Sequence, residues 1–176
     1  TTPAIIRFPC SNANAHCVNR GFEKDVIEQA SKAGIAPETY FMNAQGLVCS
    51  ERLQQAKHLA KDVLIQQLIP VIEKLYALPV KDDKHSVEAL YTQWIESVHQ
   101  LYTPEELPEH FDRICEAIVF QLKSPEIQCL PKGVCHFDLH DENIISANDK
   151  LFLIDFETAC MGNQLFDVAS MVNGMQ

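Results

Sequence analysis

The residues best suited to chemistry crowd into one stretch. From Cys135 to Asp155 the chain reads Cys-His-Phe-Asp-Leu-His-Asp-Glu-Asn-Ile-Ile, then a short polar turn, then Leu-Phe-Leu-Ile-Asp. An apolar approach, Gly133-Val134-Cys135, leads into a polar loop that carries His136, Asp138 and Asn143. Two apolar runs follow, Ile144-Ile145 and Leu151 to Ile154, separated by Ala147-Asn148-Asp149-Lys150. Turn-forming residues between β-prone runs predict a hairpin. Its second strand delivers Asp155 at its end, so Asp138, Asn143 and Asp155 become neighbouring oxygen donors. Such a set suits a hard divalent cation such as Mg²⁺, which takes few protein ligands and completes its shell with water and phosphate oxygens. If Asn143 and Asp155 hold the metal, Asp138, five residues before the asparagine, is left to accept a proton from an incoming hydroxyl. Glu157, two residues beyond Asp155, is within reach of a second ion. This division of labour is what phosphoryl transfer needs, where catalysis is mostly positioning and charge neutralisation.

Other readings of the same residues stand beside that one. Asn143 and Asp149 are also ordinary turn formers, and Glu157 also reads as a solvated carboxylate. His136-x-Asp138-x-His140 on an extended strand would place three metal ligands on one face and point to a zinc hydrolase. Against it, the stretch from Asp138 to Asn143 is too polar for a buried strand, and no further ligand pair stands out.

The elements around this stretch must hold it. Ala4 to Phe8 reads as a strand containing Arg7. Arg20 to Ala33 has Phe22, Val26, Ile27, Ala30 and Ala33 at helical spacing, with Asn19 as cap and Gly34 as stop. Two strands are expected over 35–41 and 47–49, split by Asn43-Ala44-Gln45-Gly46, with 50–53 as a crossing between lobes. A helix over 61–77 has Leu64, Leu68, Val71, Ile72 and Leu75 as its stripe, and Pro70 should kink or split it. Ser86 opens the clearest helix, with Val87, Leu90, Tyr91, Trp94, Val98, Leu101 and Tyr102 at helical spacing; its aromatics are expected in the core, the other reading being a cage for a quaternary ammonium. Thr103-Pro104-Glu105-Glu106 has the form of a capping box and predicts a short helix. Phe111, Ile114, Cys115, Ile118, Val119 and Leu122 predict a buried stripe on the next. Asn163 is the candidate cap of a last helix over 164–172.

The 176 residues are 47% hydrophobic and 22% charged, enough for a sizeable core. No run reaches the roughly 20 apolar residues of a membrane span, and Thr1-Thr2-Pro3 begins no basic-then-apolar leader. A cytoplasmic protein is expected. Its seven cysteines are odd in number with no Cys-x-x-Cys pair, which predicts buried free thiols. The formal net charge of −10 argues against nucleic acid and fits a cationic small molecule better.

Taken together, His136-x-Asp138-x-x-x-x-Asn143, Leu-Ile-Asp155-Phe-Glu157 and Phe166-Asp167-Val168-Ala169 resemble the aminoglycoside phosphotransferase and choline kinase superfamily. The resemblance implies an α+β, two-lobe protein-kinase-like fold. Residues 1–53 would form a partial N-terminal lobe, and 54–176 a mainly helical C-terminal lobe with the catalytic hairpin. It further implies that His136 and Asp167 brace the loop and that Arg7 pairs with Glu23 to steady the nucleotide phosphates. The segment Val-Asn-Arg-Gly-Phe-Glu, ending at Glu23, is similar to the Arg-x-x-Glu of bacterial choline kinases. ATP and Mg²⁺ are the implied cofactors, and a small alcohol the implied acceptor: choline or ethanolamine first, thiamine second, an aminoglycoside third. The resemblance departs from the family's pattern at both ends. The six glycines form no phosphate-covering loop, and the helices that complete a substrate pocket in the family would come after Gln176. A fragment of a longer polypeptide is expected, ahead of a kinase-fold binding module that has lost the roof of its nucleotide site and does not turn over.

Overall fold

A computed structural model describes residues 3–9, 18–54, 61–82 and 84–174. Near the start, β1 (Ala4–Arg7) pairs antiparallel with β3 (Val48–Glu51), which pairs antiparallel with β2 (Thr39–Met42), giving the order β1-β3-β2. Asn43 shapes the turn between β2 and β3 by accepting N–H bonds from Gln45 and Leu47 at 3.0 and 2.9 Å. The helix α1 (Arg20–Lys32) packs beside this sheet. Asn19 caps it, its Oδ1 accepting from the Phe22 N–H at 3.1 Å, and Gly34 follows its end in the left-handed region.

Two expectations for this region change. Ser50 and Glu51 belong to β3 rather than to a crossing between lobes, because they pair with Ile5 and Ala4. Residues 35–37 form no strand: Ile35 and Ala36 are buried in a loop, and the Ile35 carbonyl accepts the Leu153 N–H at 2.7 Å. That bond ties the loop after α1 to the hairpin.

The helix α2 (Lys61–Tyr76) continues through Pro70 without splitting and buries Leu68, Val71, Ile72 and Leu75. Next, α3 (Val87–Leu101) is capped by Ser86, whose Oγ accepts from Ala89 N–H at 3.2 Å. Then come α4 (Phe111–Leu122) and the single-turn α5 (Pro125–Gln128). The strand β4 (Gly133–Cys135) pairs antiparallel with β7 (Cys160–Gly162). It runs so close to α2 that a Cβ on Gly133 would lie 2.3 Å from the Tyr76 carbonyl oxygen, and only glycine leaves room. Between them stands the predicted hairpin, β5 (Ile144–Ala147) and β6 (Lys150–Leu153). Asn148 and Asp149 both have positive φ, the conformation a two-residue hairpin turn requires. Finally α6 (Leu165–Gly174) starts beside Asn163, whose Oδ1 accepts the Leu165 N–H at 2.9 Å.

The larger of two buried clusters among the described residues joins α1, α2 and the hairpin, while Val87, Leu90, Leu122 and Cys160 form the smaller. Phe22, Val26, Ile27 and Ala30 of α1 meet Leu68 and Leu75 of α2, Leu151 and Leu153 of β6, and Phe156. Each such side chain withdrawn from water contributes about 1.5–3 kcal/mol, so burial holds the sheet, α1 and the hairpin together.

The α3–α4 region departs most from expectation. The capping-box segment after Thr103 forms turns, not a helix, although the Thr103 N–H does bond Glu106 at 2.8 Å. Pro108 closely follows and leaves no room for another helical turn. On α4 only Cys115 and Leu122 of the predicted stripe are buried, while Ile114 is 56% exposed. Trp94 and Tyr102 also lie at the surface rather than in the core. Of the cysteines, 115, 135 and 160 are buried free thiols, Cys49 is half-buried and Cys129 is exposed; Cys10 and Cys17 lie outside the described residues. No helix among the described residues is long and apolar enough to cross a membrane.

Candidate active site

The polar loop after β4 is fixed from below. Asp167, on the first turn of α6, is buried and accepts two backbone bonds, from His136 N–H at 3.0 Å and Phe137 N–H at 2.7 Å. Ser170, one turn on, accepts the Leu139 N–H at 3.1 Å. Thr158 donates its hydroxyl to the His136 carbonyl at 3.1 Å. These bonds let Phe137 hold a positive φ of 67°, a conformation that persists in a non-glycine residue only when its surroundings enforce it.

His136 joins the loop to the hairpin. Its ring is fully buried against Phe156, and Nε2 bonds the Ile154 carbonyl at 2.8 Å. Burial lowers its pKa, so the neutral imidazole donates from Nε2, while Nδ1 finds no partner among the described residues. Burial also pushes the Asp167 carboxyl up, opposed by the two N–H bonds it accepts.

Asn143 makes the second join. Its Nδ2 donates to the Asp138 carbonyl at 2.9 Å and to the Asp138 carboxylate at 3.2 Å, with His140 Nε2 at 3.1 Å. Its backbone carbonyl accepts from Ile154 N–H at 3.0 Å. With Nδ2 committed, Oδ1 is the amide's remaining donor to a cation. Asp155 comes next in the chain, in the left-handed region at φ 62°. Asn143 thus bonds Asp138 directly and, through its backbone, the residue that precedes Asp155.

Two arginines close the site. Arg7 Nη1 reaches Asp155 Oδ1 at 2.6 Å, and Arg7 Nη2 bonds Glu23 Oε1. Burial works to lower the Arg7 pKa, but the bond to Glu23 and the charges of Glu23, Asp155 and Glu157 outweigh it, and the net shift is upward. Arg20 Nη1 bonds Glu23 Oε2 at 2.7 Å and lies 3.7 Å from Glu157. A cleft of about 450 Å³ opens between the β1–β3 sheet and the hairpin. Ile5, Ile27, Val48, Leu53, Ile145 and Leu153 give it apolar walls, with Arg7 and Asp155 also on its lining. Such a space accepts a flat apolar ring with its charged tail toward the arginine.

The predicted residues therefore converge: Arg7, Glu23, Asp155 and Glu157 through the arginines, and Asp138, Asn143, His136 and Asp167 through the loop. The three-ligand zinc arrangement does not form. His136 is buried with Nε2 taken, while His140 faces Asp138 and Asn143. Among the described residues no group of three or more His, Cys, Asp or Glu side chains is placed to hold a metal ion. The donors at hand are instead a carboxylate and an amide oxygen, a hard set that suits Mg²⁺ better than zinc. Sequence reasoning missed two contributors, Thr158 and Ser170, which act through contacts that no periodicity reveals. Arg20 stands in the Arg-x-x-Glu segment without a role, which its i,i+3 spacing to Glu23 could have supplied, and sequence reasoning gives His140 only as a zinc ligand.

Comparison with known proteins identifies the fold and the family. The chain is 26% identical over 175 residues to Protein LicA of Haemophilus influenzae, covering 96% of this chain and 64% of that protein. Among solved structures, choline kinase LicA from Streptococcus pneumoniae superposes with a TM-score of 0.76 at 20% identity, covering 97% of this chain and 61% of that one. The streptomycin-ATP-APH(2")-IIa ternary complex gives 0.61 at 14% identity, covering 93% and 62%. The fold is thus protein-kinase-like, and the chain spans less than two thirds of the relatives it matches. Residues 22–176 match the phosphotransferase enzyme family, APH, and the chain belongs to that family.

Proposed function

We propose that the protein transfers the γ-phosphate of ATP to a hydroxyl of a small, cationic alcohol, choline or ethanolamine before thiamine. The observation that carries this reading is the pair of joins at Asn143, which bonds Asp138 through its side chain and Ile154 through its backbone. Through one asparagine they tie the Asp138 loop to the end of β6, one residue before Asp155. In this account Asp138 orients the acceptor hydroxyl and takes its proton. Asn143 and Asp155, with Glu157 beside them, would hold Mg²⁺, which when bound neutralises charge on the phosphates. Arg7, steadied by Glu23, positions the phosphate tail, and the apolar cleft takes the base. His136 and Asp167 keep the loop in place.

The acceptor class draws support from the solved choline kinase and the choline/ethanolamine kinase family protein of Mesorhizobium loti, to which the fold is similar (TM-score 0.68). The net charge of −10 also favours a cation. One observation favours a second reading, a nucleotide-binding module without turnover: Arg7 already engages Asp155, the carboxylate proposed for the metal.

An ADP-release screen over choline, ethanolamine, thiamine and aminoglycosides, run on the full-length protein and its Asp138→Ala variant, tests both. Release should be fastest with choline or ethanolamine and fall at least a hundredfold in the variant, as about 10²–10⁴ is expected for a lost general base. Nucleotide binding without release on any acceptor would favour the binding module. Release unaffected by the substitution would remove Asp138 from the chemistry.

A further inference from the structure

Glu23 is 1% exposed, and a buried carboxylate must have both oxygens satisfied or carry a large desolvation cost. Here the two oxygens go to different partners: Oε1 to Arg7 and Oε2 to Arg20. The split has a consequence for Arg7. It spends Nη2 on Glu23 and keeps Nη1 for Asp155.

Arg20 itself is an unfavourable choice for merely filling its site. The Nε and Nη2 groups are buried and find no hydrogen-bond partner among the described residues, a state that proteins rarely tolerate without a reason. The guanidinium lies under the β2–β3 turn so tightly that a Cβ on Gly46 would come within 2.6 Å of Nε. An apolar stem would occupy that space without two unpaired donors. What a stem cannot supply is Nη1, the atom that meets Glu23 and lies near Glu157.

We propose that Arg20 is a positioning residue: by satisfying Oε2 of Glu23 it keeps Arg7 from closing both nitrogens on that carboxylate, and so leaves Arg7 Nη1 turned toward Asp155 on the cleft, where a nucleotide phosphate can meet it. Without Arg20, the planar fork of Arg7 matches the two Glu23 oxygens. Arg7 then withdraws from the cleft. The inference rests on the reading of that cleft as a nucleotide site.

Calorimetric titration of ADP with Mg²⁺ into the full-length protein tests it, with circular dichroism to follow folding. Arg20→Gln should bind ADP about tenfold more weakly than wild type. Arg20→Lys, whose ammonium still reaches one oxygen, should stay within about threefold. In an Arg7→Lys background, whose single ammonium cannot close on both Glu23 oxygens, Arg20→Gln should weaken binding by less than about twofold further; a purely structural arginine would cost the same in both backgrounds. Wild-type affinity in Arg20→Gln, or the full tenfold loss in the Arg7→Lys background, would overturn the proposal. So would a folded Arg20→Lys that loses tenfold, an arm that stands even if Arg20→Gln does not fold. Wild-type protein that binds no ADP would sink the nucleotide reading itself, which separates that failure from this one.

Discussion

The loop-and-hairpin end of the molecule and its α3–α4 face treat their residues in opposite ways. At the first, polar groups are buried and cross-braced: Asp167 and His136 are 1% and 0% exposed, and their bonds run to backbone atoms of neighbouring elements. At the second, large apolar side chains stand in the open, Phe120 at 73%, Leu101 at 63% and Ile114 at 56% exposure. A groove of about 630 Å³ runs between α4 and α6, lined by Ile114, Ile118, Leu122 and Phe166. Position, not polarity, decides which residues are held. The site draws its rigidity from long-range backbone bonds, whereas α3 and α4 keep a helical apolar pattern that the described residues only partly cover.

The sharpest way to break this contrast is to truncate one side chain in each region. Leu153→Ala, fully buried in β6, should lower the unfolding free energy by about 2–5 kcal/mol in urea denaturation. Phe120→Ala on α4 should change it by less than about 0.5 kcal/mol. Equal losses would mean that the α4 face is as well packed as the hairpin. Acid sharpens the contrast at smaller amplitude. Burial lowers the pKa of His85, which bonds the Ala159 carbonyl at 3.0 Å, and of His136, both from 6.5. The unfolded chain therefore binds protons first as pH falls, so stability is complete above about pH 6.5 and declines below it. The slope should be at most about 1.4 kcal/mol per pH unit for each histidine. Urea midpoints of wild type and His85→Gln between pH 7.5 and 5 check this: the variant should show the shallower decline.

The sequence made the first region legible and misled about the second. His136, Asp138, Asn143 and Asp155 stand at fixed spacing on short elements, so local turn chemistry nearly determines where they go. Asn148-Asp149 marked the hairpin because few residues accept positive φ. The partners that fix the loop, Ser170 and Thr158, lie 22 to 31 residues away from the groups they bond, and a lone hydroxyl carries no periodicity. For α4 the spacing correctly showed an amphipathic helix. Burial, however, depends on what packs against a face, and period alone does not contain that. The capping box failed similarly: its Thr103–Glu106 bond forms, but two prolines in five residues leave no helix for it to start.

The central claim is that the end of β6 and the loop after β4 form one metal-dependent phosphate site. Its most direct test is the affinity of the full-length protein for ADP, measured by calorimetry with Mg²⁺ and with EDTA, before and after Asp155→Asn. The account predicts that Mg²⁺ tightens ADP binding in wild type and that the substitution removes most of this gain. A variant that keeps the full Mg²⁺ gain would contradict it.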